Sequence, residues 1–241
     1  MLQWIRSYAF LIAMYGGMAV IGLGLFPWAL TSEHAARRVA KIWCRWTLWC
    51  ASWMVGLKTE VRGEIPTGEV LIASKHQSFL DIIIIFDAVP AAKFIMKREL
   101  LFTPVVGQYA TRIGCVPVDR GKKGAAIAGM LRAAKASNEA HPGQLIIYPQ
   151  GTRVAPDVKA PYKVGASLLH GYLKQTCIPA ATNVGHFWPR LGVYRKPGLA
   201  VVEFLPPIGP EVTKAEFLSH LEEVVETASD RLLKEARDAA R

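Results

Sequence analysis

No charged side chain occurs between Ser7 and Ser32. A helix that is apolar on every side has no face to offer water, so it must be buried all round or lie in lipid. The run YAFLIAMYGGMAVIGLGLFPWALT, residues 8–31, is long enough to cross a bilayer, which takes ~20 apolar residues. A cleaved signal peptide has a shorter apolar core and a small-residue cleavage site, and neither is evident. Tyr8 and Trp28 lie near the ends of the run, where interfacial aromatics are favoured. A second segment, RVAKIWCRWTLWCASWMVGL (38–57), repeats Trp43, Trp46, Trp49 and Trp53 at helical spacing but is interrupted by Lys41 and Arg45. It suits an amphipathic helix lying in the membrane interface. A tryptophan-rich core helix is the other reading, but two adjacent apolar segments are hard to bury in a chain of 241 residues. Arg37, Arg38, Lys41 and Arg45 follow the first run and only Arg6 precedes it, which puts the following side in the cytoplasm. Whether the first segment spans the bilayer or enters and returns is left open.

After Gly56 the pattern changes. Short β-rich runs at 70–74, 93–96, 115–118, 144–148, 177–182 and 199–204 alternate with helical stretches near 78–88, 104–112, 122–139, 163–174 and 213–237. That alternation predicts an α/β fold, a mostly parallel sheet covered by helices. Thr213 and Glu216 have capping-box spacing, and Phe217, Leu221, Val224, Ala228 and Leu232 then line one helix face. No repeat, low-complexity tract or linker interrupts the chain. The expected organisation is a membrane-anchoring helical prefix, residues 1–57, and one catalytic domain, residues 58–241.

Charge narrows the partners. Lys and Arg number 29 against 19 acidic residues, a formal charge of +10. Beside an apolar prefix this suits an anionic membrane surface, and no nucleic-acid partner is expected. Cysteines 44, 50, 115 and 177 form no CxxC pair and are read as reduced, as in a cytosolic compartment. The six histidines are scattered without ligand spacing, which argues against a metal site. No cofactor is expected.

Three unusual stretches stand where strands should end, the place where sites form in open α/β sheets. The first is SKHQSFLD (74–81). Ser78 and Asp81 have capping-box spacing, so Ser78 would cap a helix with Asp81 in its first turn. His76 would stand in the loop before it, with its ring free to fold back on Asp81, a base with an orienting carboxylate. Taken alone, Asp81 reads equally well as a cap and His76 as a surface loop residue. The second stretch is GCVPVDRGKKG (114–124), within a region (89–141) holding nine basic and three acidic residues. Arg120, directly after the strand, reads as an anion contact, and Lys122 and Lys123 read as solvated. The third is YPQGTR (148–153). Glycine permits close backbone approach and the arginine fork suits phosphate, although an ordinary turn with one arginine has the same look.

HQSFLD, CVPVDR, YPQGTR and IPAATNVG (178–185), in that order, resemble the four blocks of the glycerolipid acyltransferases, over roughly residues 60–205. The resemblance implies that His76 removes a proton from the sn-2 hydroxyl of lysophosphatidic acid, that this oxygen attacks the thioester of acyl-CoA or acyl-carrier protein, and that Asp81 holds the imidazole. It implies no covalent acyl-enzyme. It places the acceptor phosphate against Arg120, Gly151, Thr152 and Arg153. Lys97, also at a strand end, is added as a phosphate contact. Two positions depart from the family pattern: Gln150 stands where the family has glutamate, and Lys75 where asparagine is common. Gln150 keeps the size and one acceptor oxygen of glutamate but loses its charge, which leaves the acceptor headgroup open. The rival readings are an acyltransferase or transacylase for another lysolipid such as a lyso-aminolipid, a catalytically silent module binding anionic lipid, and a thioesterase with water as acceptor.

Overall fold

A computed structural model describes residues 1–119 and 123–239, with backbone alone for 123–125. Three helices come first: α1 (Leu2–Gly24), the single turn α2 (Phe26–Ala29) and α3 (Glu33–Val55). Ser32 Oγ accepts the Ala35 N–H at 3.1 Å to start α3, and Gly56, at φ +70°, ends it in the left-handed conformation glycine favours. The remainder alternates: β1 (Leu57–Arg62), β2 (Leu71–Ser74), α4 (Leu80–Ala88), β3 (Ala92–Lys97), a 3-10 turn (Arg98–Phe102), α5 (Val106–Arg112), β4 (Val116–Val118), α6 (Lys123–Ala140), β5 (Gln144–Ile147), α7 (Gly165–Leu173), β6 (Cys177–Thr182), α8 (Val184–Phe187), β7 (Gly198–Phe204) and α9 (Lys214–Asp238).

The seven strands form one sheet in the order β1-β7-β6-β2-β5-β3-β4. All neighbours are parallel except β6 and β7. The two-residue period of the central strands feeds two cores. Ile72 and Ile146 join the cluster on the α1–α3–α4 face, while Leu71, Ala73, Leu145 and Ile147 join the cluster under α6, α7 and α9. Both faces are covered, as a mostly parallel sheet requires.

Sequence expectation and structure differ at several elements. β1 was not anticipated: its sequence, LKTEVR, has few aliphatic residues and forms a strand by pairing with residues 198–203 of β7. The antiparallel turn at β7 also has no local signal. The α9 seam runs through Val225, which is buried, and leaves Val224 half-buried. The expected capping box of α9 is present, with Thr213 and Glu216 bonded in both directions.

α1 lies along the body of the protein over its whole length. Near its start, Gln3 Nε2 donates to Val55 O at 3.0 Å and Arg195 O at 2.7 Å. At its middle, the indoles of Trp43 and Trp46 donate to Met14 O and Ala13 O, each at 3.0 Å. At its end, Tyr109 Oη donates to Gly22 O at 2.8 Å. Gly17 permits the approach of α3, since a Cβ there would stand 2.2 Å from Trp46 Nε1. Phe10 and Met14 on α1, with Val39 and Cys44 on α3, share one cluster with Ile72 and Ile83. The outer sides of the two helices expose Ile5, Tyr8, Ile12, Val20, Trp49 and Trp53. α1 is the one helix among the described residues long and apolar enough to cross a membrane.

Candidate active site

The carboxyl ends of β2 and β5 lie side by side at the centre of the sheet. The chain leaves β2 through Lys75, His76 and Gln77 and enters α4 at Leu80. Asp81 is fully buried in the first turn of that helix. One of its oxygens, Oδ2, accepts the N–H groups of Gln77 and Ser78, both at 2.8 Å. The other, Oδ1, lies 2.8 Å from His76 Nδ1. The carboxylate therefore both caps the loop and holds the ring. With Asp81 as acceptor, the shared proton sits on Nδ1 and leaves the Nε2 lone pair free. The His76 side chain is 14% exposed, enough to be reached from one direction. Ser78 is buried and is not the expected cap: α4 starts one residue later, with Phe79 at its N-cap, while Ser78 Oγ accepts the Leu80 N–H at 3.2 Å and only the Ser78 N–H to Asp81 half of the capping box forms.

The third block meets the first. Val154 N donates to His76 O at 2.8 Å, which ties the end of the 148–153 turn to the histidine backbone. Gly151, at φ +71°, lets the turn close, with its N–H on Tyr148 O at 2.8 Å. The fourth block is joined as well, since Gln77 Oε1 accepts the Gly185 N–H at 2.9 Å. Gln150 is buried; its Nε2 donates to Ala160 O at 3.3 Å, and its Oε1 has no partner among the described residues. It is turned into the 158–163 loop. Thr152 is exposed and Arg153 half-buried, and the Arg153 guanidinium makes no hydrogen bond or ion pair among the described residues. Lys97 is exposed at the end of β3, one strand beyond β5, also without a bonded partner among them. Arg120 lies outside the described residues.

Two residues to which the sequence reading gave no role stand at the centre of this arrangement. The Tyr148 ring stacks on the His76 imidazole, with centroids 3.9 Å apart and planes 19° from parallel. Burial, followed by the nearby Asp81 charge, pushes its phenol well above the ordinary range. The Lys163 backbone N–H donates to Pro149 O at 3.0 Å, and its ammonium reaches over Gly151, 3.0 Å from where a Cβ would stand. The strand before Tyr148 and the glycine at 151 were the available signals. Neither reveals which ring or cation arrives from elsewhere in the chain. Lys75, the departure beside His76, is buried and ion-paired with Glu226 of α9 at 2.6 Å, and Tyr162 Oη donates to the same carboxylate at 3.0 Å. It is thus a link to α9 rather than a solvated cation.

The chain is similar to known proteins. A family described as acyltransferase matches residues 58–182. A 1-acyl-sn-glycerol-3-phosphate acyltransferase of Pseudomonas aeruginosa is 28% identical over 215 residues, 87% of this chain and 82% of that protein. The alpha form of an enzyme of the same name from Mus musculus is 30% identical over 67% of this chain, which spans 58% of the mouse protein. The crystal structure of the lysophosphatidic acid acyltransferase PlsC from Thermotoga maritima superposes with a TM-score of 0.78 at 21% identity, covering 95% of this chain and 97% of that one. That likeness shows the shared fold: a mostly parallel sheet flanked by helices with an apolar helix at its start.

Proposed function

The chain belongs to the acyltransferase family, and from that membership we propose that it transfers a fatty acyl group from acyl-CoA or acyl-carrier protein to the sn-2 hydroxyl of lysophosphatidic acid, giving phosphatidic acid. The observation that carries the reading is the His76–Asp81 pair, 2.8 Å apart, with the His76 ring stacked on Tyr148 and its backbone oxygen bonded to Val154 N–H at the end of the 148–153 turn. Nε2 takes the hydroxyl proton as the alcohol oxygen attacks the thioester carbonyl. Asp81 stabilises the imidazolium that forms. Collapse of the tetrahedral intermediate breaks the C–S bond, and the imidazolium returns its proton to the departing thiolate. The acceptor is itself the nucleophile, so no serine or cysteine ester is needed. Base catalysis of this kind contributes ~10²–10⁴-fold.

The acceptor phosphate is assigned to Arg153, Lys163 and the backbone of Thr152, with Gly151 shaping the turn and Lys97 and Arg120 as further cations. Arg153, Lys163 and Lys97 have no carboxylate partner among the described residues, which supports an anion as their partner. Gln150 is assigned to the turn itself, because its amide faces Ala160 O.

Lysophosphatidic acid lives in a bilayer. α1 is bonded to the body of the protein near both ends, which supports a helix lying along one leaflet with its exposed stripe in lipid. We assign the domain to the cytoplasmic side, whose anionic leaflet suits a chain of formal charge +10. Trp49 and Trp53 fluorescence is expected to be quenched by lipids brominated high on the acyl chain and little by those brominated near its end.

Purified protein given acyl-CoA and lysophosphatidic acid should yield phosphatidic acid by mass spectrometry, and His76→Ala none. Free fatty acid without an acceptor would replace this reading by a thioesterase. Transfer only to phosphate-free lysolipids would replace the acceptor and leave His76 and Asp81 in place.

A further inference from the structure

We propose that Tyr148 is the positioning residue of His76, its ring fixing the imidazole plane that the Asp81 hydrogen bond leaves free. The inference rests on His76 acting as the base.

A single hydrogen bond fixes one edge of the imidazole. It tolerates tens of degrees of misalignment, so the ring can still rock about the Nδ1–Oδ1 line. Nε2 stands on the far side of the ring and would be swept sideways by that motion. A flat ring pressed on the imidazole face removes the freedom. Tyr148 supplies it, at 3.9 Å and 19°.

The backing is itself held. Tyr148 directly follows β5, and its ring stacks on Phe94 of β3 with centroids 6.3 Å apart and planes 15° from parallel. Phe94 in turn stacks on Phe86 of α4 at 6.2 Å and 21°. α4 is also the helix that carries Asp81. Edge and face of the imidazole are therefore referred to the same helix, one through the carboxylate and the other through a row of three aromatic rings. The charged group bonded to the ring is Asp81, while the neighbouring Lys75 is engaged with Glu226. An aromatic face also attracts a cation, so the stack favours the imidazolium formed as the acceptor loses its proton.

Tyr148 Oη is buried beside the Asp81 carboxylate and makes no hydrogen bond of ordinary geometry among the described residues. The role belongs to the ring, and phenylalanine would perform it.

Tyr148→Leu and Tyr148→Phe separate the two parts. Tyr148→Leu is expected to lower kcat about 100-fold, the scale of a small misplacement of a reacting group, with the KM for lysophosphatidic acid nearly unchanged. Tyr148→Phe is expected to rescue kcat. Phe94→Leu, which removes the second ring of the row and leaves Tyr148 in place, is expected to lower kcat by a smaller factor. It keeps the test open should Tyr148→Leu fail to fold. A readout without substrate is the downfield proton resonance of His76 Nδ1–H. It should be sharp in the wild type and Tyr148→Phe, and broadened in Tyr148→Leu and Phe94→Leu. Tyr148→Phe as damaging as Tyr148→Leu would move the role to the hydroxyl and overturn the proposal. So would an unchanged kcat in Tyr148→Leu, or, should that variant not fold, in Phe94→Leu. If the wild type transfers no acyl group, the proposed function falls, and the resonance still decides whether the stack holds the imidazole.

Discussion

On the His76 side of the 148–154 turn the ionisable pair His76 and Asp81 is closed on itself, and on the Arg153 side the cations are open. Asp81 is fully buried and accepts three hydrogen bonds, and the His76 ring is bonded at one edge and stacked on one face. Lys97 and Lys163 are exposed, and neither they nor the half-buried Arg153 have a bonded side-chain partner among the described residues. The difference suits the two proposed tasks. A base must meet the reacting proton without reorganising, so its site is assembled in advance in a low-dielectric pocket. A phosphate dianion brings its own strong field and can draw solvated, long-stemmed cations around it on arrival. Faults on the first side should therefore appear in kcat, and faults on the second in KM.

The sharpest way to break this division is His76→Ala. It should cost ~10²–10⁴-fold in kcat and leave the KM for lysophosphatidic acid nearly unchanged. A large rise in KM would mean that the histidine also binds the acceptor. Asp81→Asn comes next. Loss of the carboxylate should lower kcat almost as far. It should also lower thermal stability by about 1–2 kcal/mol, because the Gln77 and Ser78 N–H groups lose a charged acceptor, which a melting curve would read. On the open side, Arg153→Gln should raise KM, since a hydrogen bond to a charged group contributes roughly 1.5–3 kcal/mol, a factor of ~10–150. Equal loss with a phosphate-free lysolipid would remove Arg153 from the phosphate. Lys163→Met should have the smallest effect, about 2–5-fold in KM, as expected for an exposed charge, and the effect should fade as salt rises.

Much of the frame was legible in the sequence because its signals are local. The α9 cap needs only Thr213 and Glu216, and the change of pattern after Gly56 marks the end of α3. The six β-rich runs were found because each is apolar enough to be buried on both faces. β1 was missed because only Leu57 in it is fully buried, and its partner lies beyond residue 197. The site was legible to the same extent. The fold-back of His76 on Asp81 spans five positions and follows from a loop meeting a helix start. Lys163 over Gly151, Tyr148 on His76, and Lys75 with Glu226 are side-chain meetings set by how the strands are ordered and which helix covers which face.

Read alone, the residues determined what depends on near neighbours: an apolar first helix, the alternation that makes a mostly parallel sheet, the α9 cap, and a histidine able to fold back on the carboxylate at the next helix start. Those features need only the period of a helix or strand and the reach of one side chain. Tertiary structure alone decided which side of α1 is left exposed, because both ends of the helix are bonded to residues far along the chain. It also decided what backs the imidazole and which lysine stands over the turn. Packing brings such groups together across 72 positions for Tyr148 and His76, and sequence spacing carries no record of a distance that only the closed sheet creates.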